Sequence, residues 1–192
     1  TDGIGIYFDT GAITNCLPNG LMTQVSAYII LTNPSDTSGV SGWQARLLYD
    51  PTLCVTVNSI GNNAVNVLSF PYFMVGLAEP LAASTSVVLA ELAVIAISAG
   101  GMSLAGLEAN EYDTPIYASG NDPSHLIRTV YVYGGYGEPA ATIGDLPCPE
   151  PGGRGVAKRP FVLIDGPVRV GPRVGGNATE NTTAIGPRGF DQ

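Results

Sequence analysis

The sequence predicts an all-β chain: a two-sheet, jelly-roll-like β-sandwich of about eight or nine strands with an extended C-terminal β-tail. Three observations predict it. Short apolar runs rich in Val, Ile, Thr and Tyr recur at regular spacing, separated by Gly, Pro, Asn and Asp. No long stretch carries the periodicity of an amphipathic helix. Gly and Pro number 25 and 15 among 192 residues, which supplies many turns without reaching the share of a disordered chain.

Taken in order, "GIGIYFD" alternates, with Ile4, Ile6 and Phe8 on one face. "TQVSAYIILTN" is a second strand, stopped by Asn33-Pro34. "SGWQARLLYD" places Trp43, Ala45, Leu47 and Tyr49 inward and Gln44 and Arg46 outward. Asp50-Pro51 turns the chain into "LCVTVNSI". "AVNVLSF" and "YFMVGLA" flank Pro71, and "TSVVLAELAVIAIS" is apolar on both faces, as a central strand is. "EANEYDTPIYASGNDPSH" reads as a polar loop region, and "LIRTVYVYGGYG" as the last strand of the body. The division is a sandwich over residues 1–145, a Pro/Gly-rich linker over 146–158 and an extended tail over 159–192.

The stretch "SAYIILTNPSDTSGVSGWQARLLYDPTLCVTVNSI" resembles the first half of a cohesin-type module. An aromatic-bearing strand ends in Tyr49-Asp50-Pro51 and a valine-rich strand with Val55 and Val57 follows. "YFMVGLAEP" and "TSVVLAELAVIAIS" resemble that family's later glycine-containing and central apolar strands, so the likeness covers roughly residues 24–100. It implies the jelly-roll sandwich of secreted bacterial scaffolds, adhesins and carbohydrate-binding modules.

Charge is segregated. Residues 1–149 hold 12 acids and two bases, Arg46 and Arg128, for a net of −10. Residues 150–192 hold six bases and four acids, for a net of +2. An acidic chain with a single Lys excludes a nucleic-acid partner. The longest apolar run is interrupted by Glu91 and is too short to span a bilayer. With Thr1 first, the chain reads as a mature protein, secreted to the cell surface or beyond after signal-peptide removal.

Catalytic chemistry is not expected. The single His, His125, lies in the turn "NDPSHL", and no nucleophile-elbow, zinc-protease or phosphate-loop motif occurs. Glu108, Glu111 and Asp113 are the nearest carboxylate cluster. With Asn121 and Asp122 they supply the hard oxygen ligands calcium takes, without EF-hand spacing. A plain solvated loop is the alternative to calcium there, and no cofactor is expected. Three cysteines permit three pairings; Cys16–Cys54 is favoured, closing a loop of 38 residues. Cys148 is then a free thiol or an alternative partner.

The tail segment "RPFVLIDGPVRVGPRV" is strand-like and apolar on both faces. Phe161, Val162, Leu163 and Ile164 follow Arg159, and Val168, Val170 and Val174 continue with Arg169 and Arg173 alternating. Pro160, Pro167 and Pro172 confine it to an edge position. It folds back on its own body, serves as a linker, or inserts into a neighbouring molecule. Insertion matches the basic tail to an acidic neighbour and resembles donor-strand subunits of extracellular filaments. Asn177 and Asn181 each begin an N-glycosylation sequon. The function expected is a structural, non-enzymatic, head-to-tail filament subunit that is a homo-polymer and possesses glycan acceptor sites. The alternative is a secreted module binding protein or carbohydrate without self-assembly, with Tyr131, Tyr133 and Tyr136 as an aromatic platform.

Overall fold

The computed structural model describes residues 1–61, 63–107, 114–135 and 138–151. Along the chain run β1 (Gly3–Tyr7), β2 (Cys16–Leu17), β3 (Gln24–Thr32), β4 (Val40–Tyr49), β5 (Leu53–Ser59) and β6 (Ala64–Asn66). They are followed by β7 (Tyr72–Leu81), β8 (Ser86–Ala96), β9 (Gly100–Ala105), β10 (Ile116–Ser119), β11 (Leu126–Arg128), β12 (Val130–Tyr131) and β13 (Ala141–Ile143). The first sheet has the order β12-β1-β3-β8-β5. The second has the order β11-β10-β4-β9-β13-β2, with β7 on the other flank of β4 and β6 beyond it. The fold is therefore the expected all-β, two-sheet sandwich. It carries 13 strands among the described residues instead of eight or nine, because several are only two or three residues long.

The core lies between the two inner faces. Ile4, Ile6, Ile29, Leu31, Leu89, Leu92 and Val94 of the first sheet meet Trp43, Ala45, Leu47, Phe73, Met102, Leu104 and Tyr117 of the second. Trp43 stacks on Phe73 at 5.0 Å, and Phe70 meets Phe73 edge-on at 6.2 Å. Such ring pairs add about 0.5–1.5 kcal/mol each beyond the area they bury. The alternation read in β4 holds for Trp43, Ala45 and Leu47, whereas Tyr49 is half-buried. Arg46 departs from it: it sits on the outer face but is only 4% exposed. Its guanidinium lies over the Tyr72 ring, 5.1 Å from the centroid.

Two segments depart from expectation. "IYAS", read as polar loop, is the buried strand β10, paired with β4 and β11. Its four residues gain cover from β4 and β11 on either side and, for Tyr117, from the core, which local polarity does not reveal. "LIRTVYVYGGYG" is two strands in different sheets. Thr129, 2% exposed, donates both its amide and its Oγ1 to the Pro115 carbonyl (3.1 and 2.6 Å). That anchor ends β11 in the second sheet. Val130 then donates to the Asp2 carbonyl and starts β12 alongside β1.

The cysteine pairing is corrected. Cys16 is bonded to Cys148, with Cα atoms 5.2 Å apart, and Cys54 is a free, exposed thiol. Cys16 lies on β2 at one edge of the second sheet, and Cys54 on β5 at one edge of the first. Thr142 Oγ1 donates to the Pro147 carbonyl (3.3 Å) and Asn15 Nδ2 to the Pro149 carbonyl (3.1 Å), carrying Cys148 past Cys16. Residues 146–151 are thus fastened to the sandwich. Residues 152–192 lie outside the described residues, and the tail reading with them.

The N-terminus is held electrostatically. Asp2 accepts hydrogen bonds from the Ser35 amide (2.6 Å), Ser35 Oγ (2.9 Å) and the Tyr117 hydroxyl (2.5 Å). Burial raises its pKa, but these bonds together outweigh burial and leave it below the usual carboxylate value. Burial, reinforced by Asp2, pushes Tyr117 up to about 12. A depressed folded-state pKa stabilises the fold above the unfolded value of about 3.9 and ceases to as pH falls through the folded value. Asp2→Asn should therefore flatten the loss of stability below about pH 4. Urea midpoints from pH 2 to 6 check this; parallel curves for variant and parent would contradict it.

Candidate functional site

The outer face of the second sheet is built around β4. Cross-strand registry sets Val65 opposite Gly76, Gly76 opposite Gly42, Gly42 opposite Ala118 and Ala118 opposite Leu126. One row thus crosses β6, β7, β4, β10 and β11. Its middle three members have no side chain or a single methyl. Its ends are apolar and open, Val65 at 63% and Leu126 at 50% exposure. Two residues along, and so on the same face, the next row is Met74, Gln44, Ile116 and Arg128. The rows frame a shallow depression of about 270 Å³, lined also by Ser41 and Pro123.

The two glycines have different physical reasons. A Cβ at Gly42 would stand 2.7 Å from the Val75 carbonyl oxygen, so the sheet itself requires glycine there. A Cβ at Gly76 would meet nothing within 4 Å. Its backbone is not in the left-handed region either, so neither packing nor conformation demands it. A glycine inside a strand costs about 0.5–1 kcal/mol relative to alanine and marks places where another chain or ligand comes close.

Charge picks out the same face. Arg46 and Arg128, the only bases of residues 1–149, both lie on it. Arg46 is buried against Tyr72, while Arg128 is exposed at the rim. An otherwise acidic body so presents an apolar dip beside a cation.

No protein-family model matches the chain, and no curated protein matches it. Solved structures that resemble it are cohesins. The sixth cohesin of Acetivibrio cellulolyticus scaffoldin B, in complex with a Cel5 dockerin, is 16% identical with a TM-score of 0.46, covering 74% of this chain and 98% of that one. A type II cohesin domain from the cellulosome of the same organism is 14% identical with a TM-score of 0.44, covering 74% and 95%. A non-cellulosomal cohesin from the archaeon Archaeoglobus fulgidus is 12% identical with a TM-score of 0.44, covering 74% and 88%.

Phe161, Val162, Leu163, Ile164, Val168, Val170, Arg159, Arg169, Arg173, Asn177 and Asn181 lie outside the described residues, as do Glu108, Glu111, Asp113 and Tyr136. Tyr131 and Tyr133 are half-buried. Tyr131 packs on the core and Tyr133 meets Tyr7 edge-on at 5.9 Å, so these two rings do not form a flat exposed platform. His125 is exposed, its amide donating to the Asp122 carbonyl. The Asp122 carboxylate accepts from the Ser124 amide (3.0 Å) and Oγ (2.6 Å), a local turn. Among the described residues no group of three or more His, Cys, Asp or Glu side chains could hold a metal ion. No helix among them is long and apolar enough to cross a membrane. The trough residues Gly42, Gly76, Ala118, Met74 and Leu126 were not legible as a group. The one available signal was the isolated glycine in "YFMVGLA".

Proposed function

We propose that the chain is a secreted, non-enzymatic protein-binding module whose partner docks on the outer face of the second sheet. Gly76 carries this reading: it holds open a trough that the fold does not need. The partner presents an apolar side chain to the floor of Gly42, Gly76 and Ala118, with a neighbouring carboxylate toward Arg128. The resemblance of residues 24–100 to a cohesin-type module implies the same class of function. The Cys16–Cys148 bond supports an oxidising, extracellular setting.

The test is selection of a displayed peptide library on the full chain, with Gly76→Arg as the counter-target. The reading expects enriched binders to pair an apolar residue with an acid. It also expects their affinity to fall at least about tenfold on the variant, a loss of about 1.4 kcal/mol. Binders that hold wild type and variant equally well would overturn it.

A further inference from the structure

The first sheet ends in an edge of unusual character. β5, "LCVTVNS", carries no charge and no proline over seven residues. Natural sheets guard exposed edges with lysine, proline, bulges or covering loops, because bare backbone recruits other strands; of these β5 has only a register shift at its end, between Val57 and Ser59. Among the described residues β5 pairs only with β8. The Ile97 amide donates to the Thr52 carbonyl (2.9 Å), which fixes the alternation. Thr52, Cys54 and Thr56 turn their backbone groups to β8, while Val55 and Val57 turn theirs to the open side. Val57 is 37% exposed, and Cys54, on the other face of the strand, is exposed as well.

The chain itself contains a segment of matching length. Phe161–Gly166 is uninterrupted by proline between Pro160 and Pro167, six residues against the seven of β5. The 41 residues beyond Pro151 carry six bases, against a body of net charge −10 over residues 1–149. The described chain also ends at the opposite side of the sandwich. Pro151 is bridged to Tyr133, just past β12, and Cys148 is tied to β2. Between β12 and β5 lie β1, β3 and β8, a separation of about 19 Å at the usual strand spacing. A donor leaving one edge and an acceptor lying at the other make a heterologous contact, which builds a ring where its rotation closes and an open chain where it does not.

We propose that β5 is the acceptor edge for residues 161–166 of a second copy of this chain, which adds there as a strand. The contact uses a surface separate from the trough around Gly76, so self-assembly and partner binding are independent.

Complementation between two full-length variants tests it. Val57→Pro removes an outward amide that β8 does not use, and spoils the acceptor. Ile164→Asp places a second charge in the donor, next to Asp165. By analytical ultracentrifugation, the wild-type chain should form species above its 19.8 kDa monomer that grow with concentration. Each variant alone should remain monomeric, with an unchanged circular dichroism spectrum. An equimolar mixture should stop at a dimer, because the intact tail of one fits the intact edge of the other. If Val57→Pro does not fold, Val57→Lys takes its place. A wild-type chain that stays monomeric would overturn the proposal, even with Val55 and Val57 amides protected from exchange, since the tail would then add to its own body. So would a folded acceptor variant that still polymerises, or a mixture that stays monomeric.

Discussion

Removal of the Cys16–Cys148 bond should lower stability by about 5 kcal/mol. The bond joins residues 132 positions apart, and the chain-entropy model gives about that value for a loop of such length. The figure is comparable to the entire stability of many domains, about 5–15 kcal/mol. Urea unfolding of Cys16→Ser/Cys148→Ser should therefore show a much lower midpoint, or no folded baseline at all. Cys54→Ser should leave the midpoint unchanged, since Cys54 is an exposed thiol on an edge strand. The control gives the experiment its force. Were Cys16 joined to Cys54, the Cys54 variant would suffer the large loss. A double variant within about 1 kcal/mol of wild type would contradict the loop-closure account.

Filling the trough should separate stability from function. Gly76→Val adds a β-branched side chain where a Cβ meets nothing within 4 Å. It should stabilise the fold by roughly 0.5–1 kcal/mol, through a less flexible unfolded chain and better strand propensity. The same substitution should weaken partner binding, and Gly76→Arg should weaken it by at least about tenfold. A residue kept for packing would behave in the opposite way, with its replacement lowering stability. Thermal unfolding and binding isotherms on the same preparations decide between them. A destabilised Gly76→Val variant with intact binding would mean that the glycine serves the sheet.

Much of the fold was legible because period-two alternation and burial share one cause. β4 shows it: Trp43, Ala45 and Leu47 alternate in sequence and are buried in fact. What was not legible depends on which strand lies beside which. Ile116–Ser119 sits in a polar stretch and becomes a buried strand through pairing with β4 and β11. The break at Thr129 follows from the Pro115 carbonyl, 14 residues earlier in sequence. The cysteine pairing failed for the same reason, since nothing local says that Cys16 joins the second sheet while Cys54 joins the first. The trough is harder still. Gly42, Gly76 and Ala118 come from three separated strands, and only registry places them in one row. Charge was more informative: the segregation of acids and bases needs no structure to be seen.

The central claim is that the face around Gly76 is where this protein meets its partner. Amide hydrogen exchange on the full chain, with and without a selected binder, tests it most directly. The account predicts slowed exchange across β7, β4 and β10, centred on Gly76, Gly42 and Ala118, with β12 unchanged. Protection confined to the loops, or to the Tyr131–Tyr133 end of the first sheet, would contradict it.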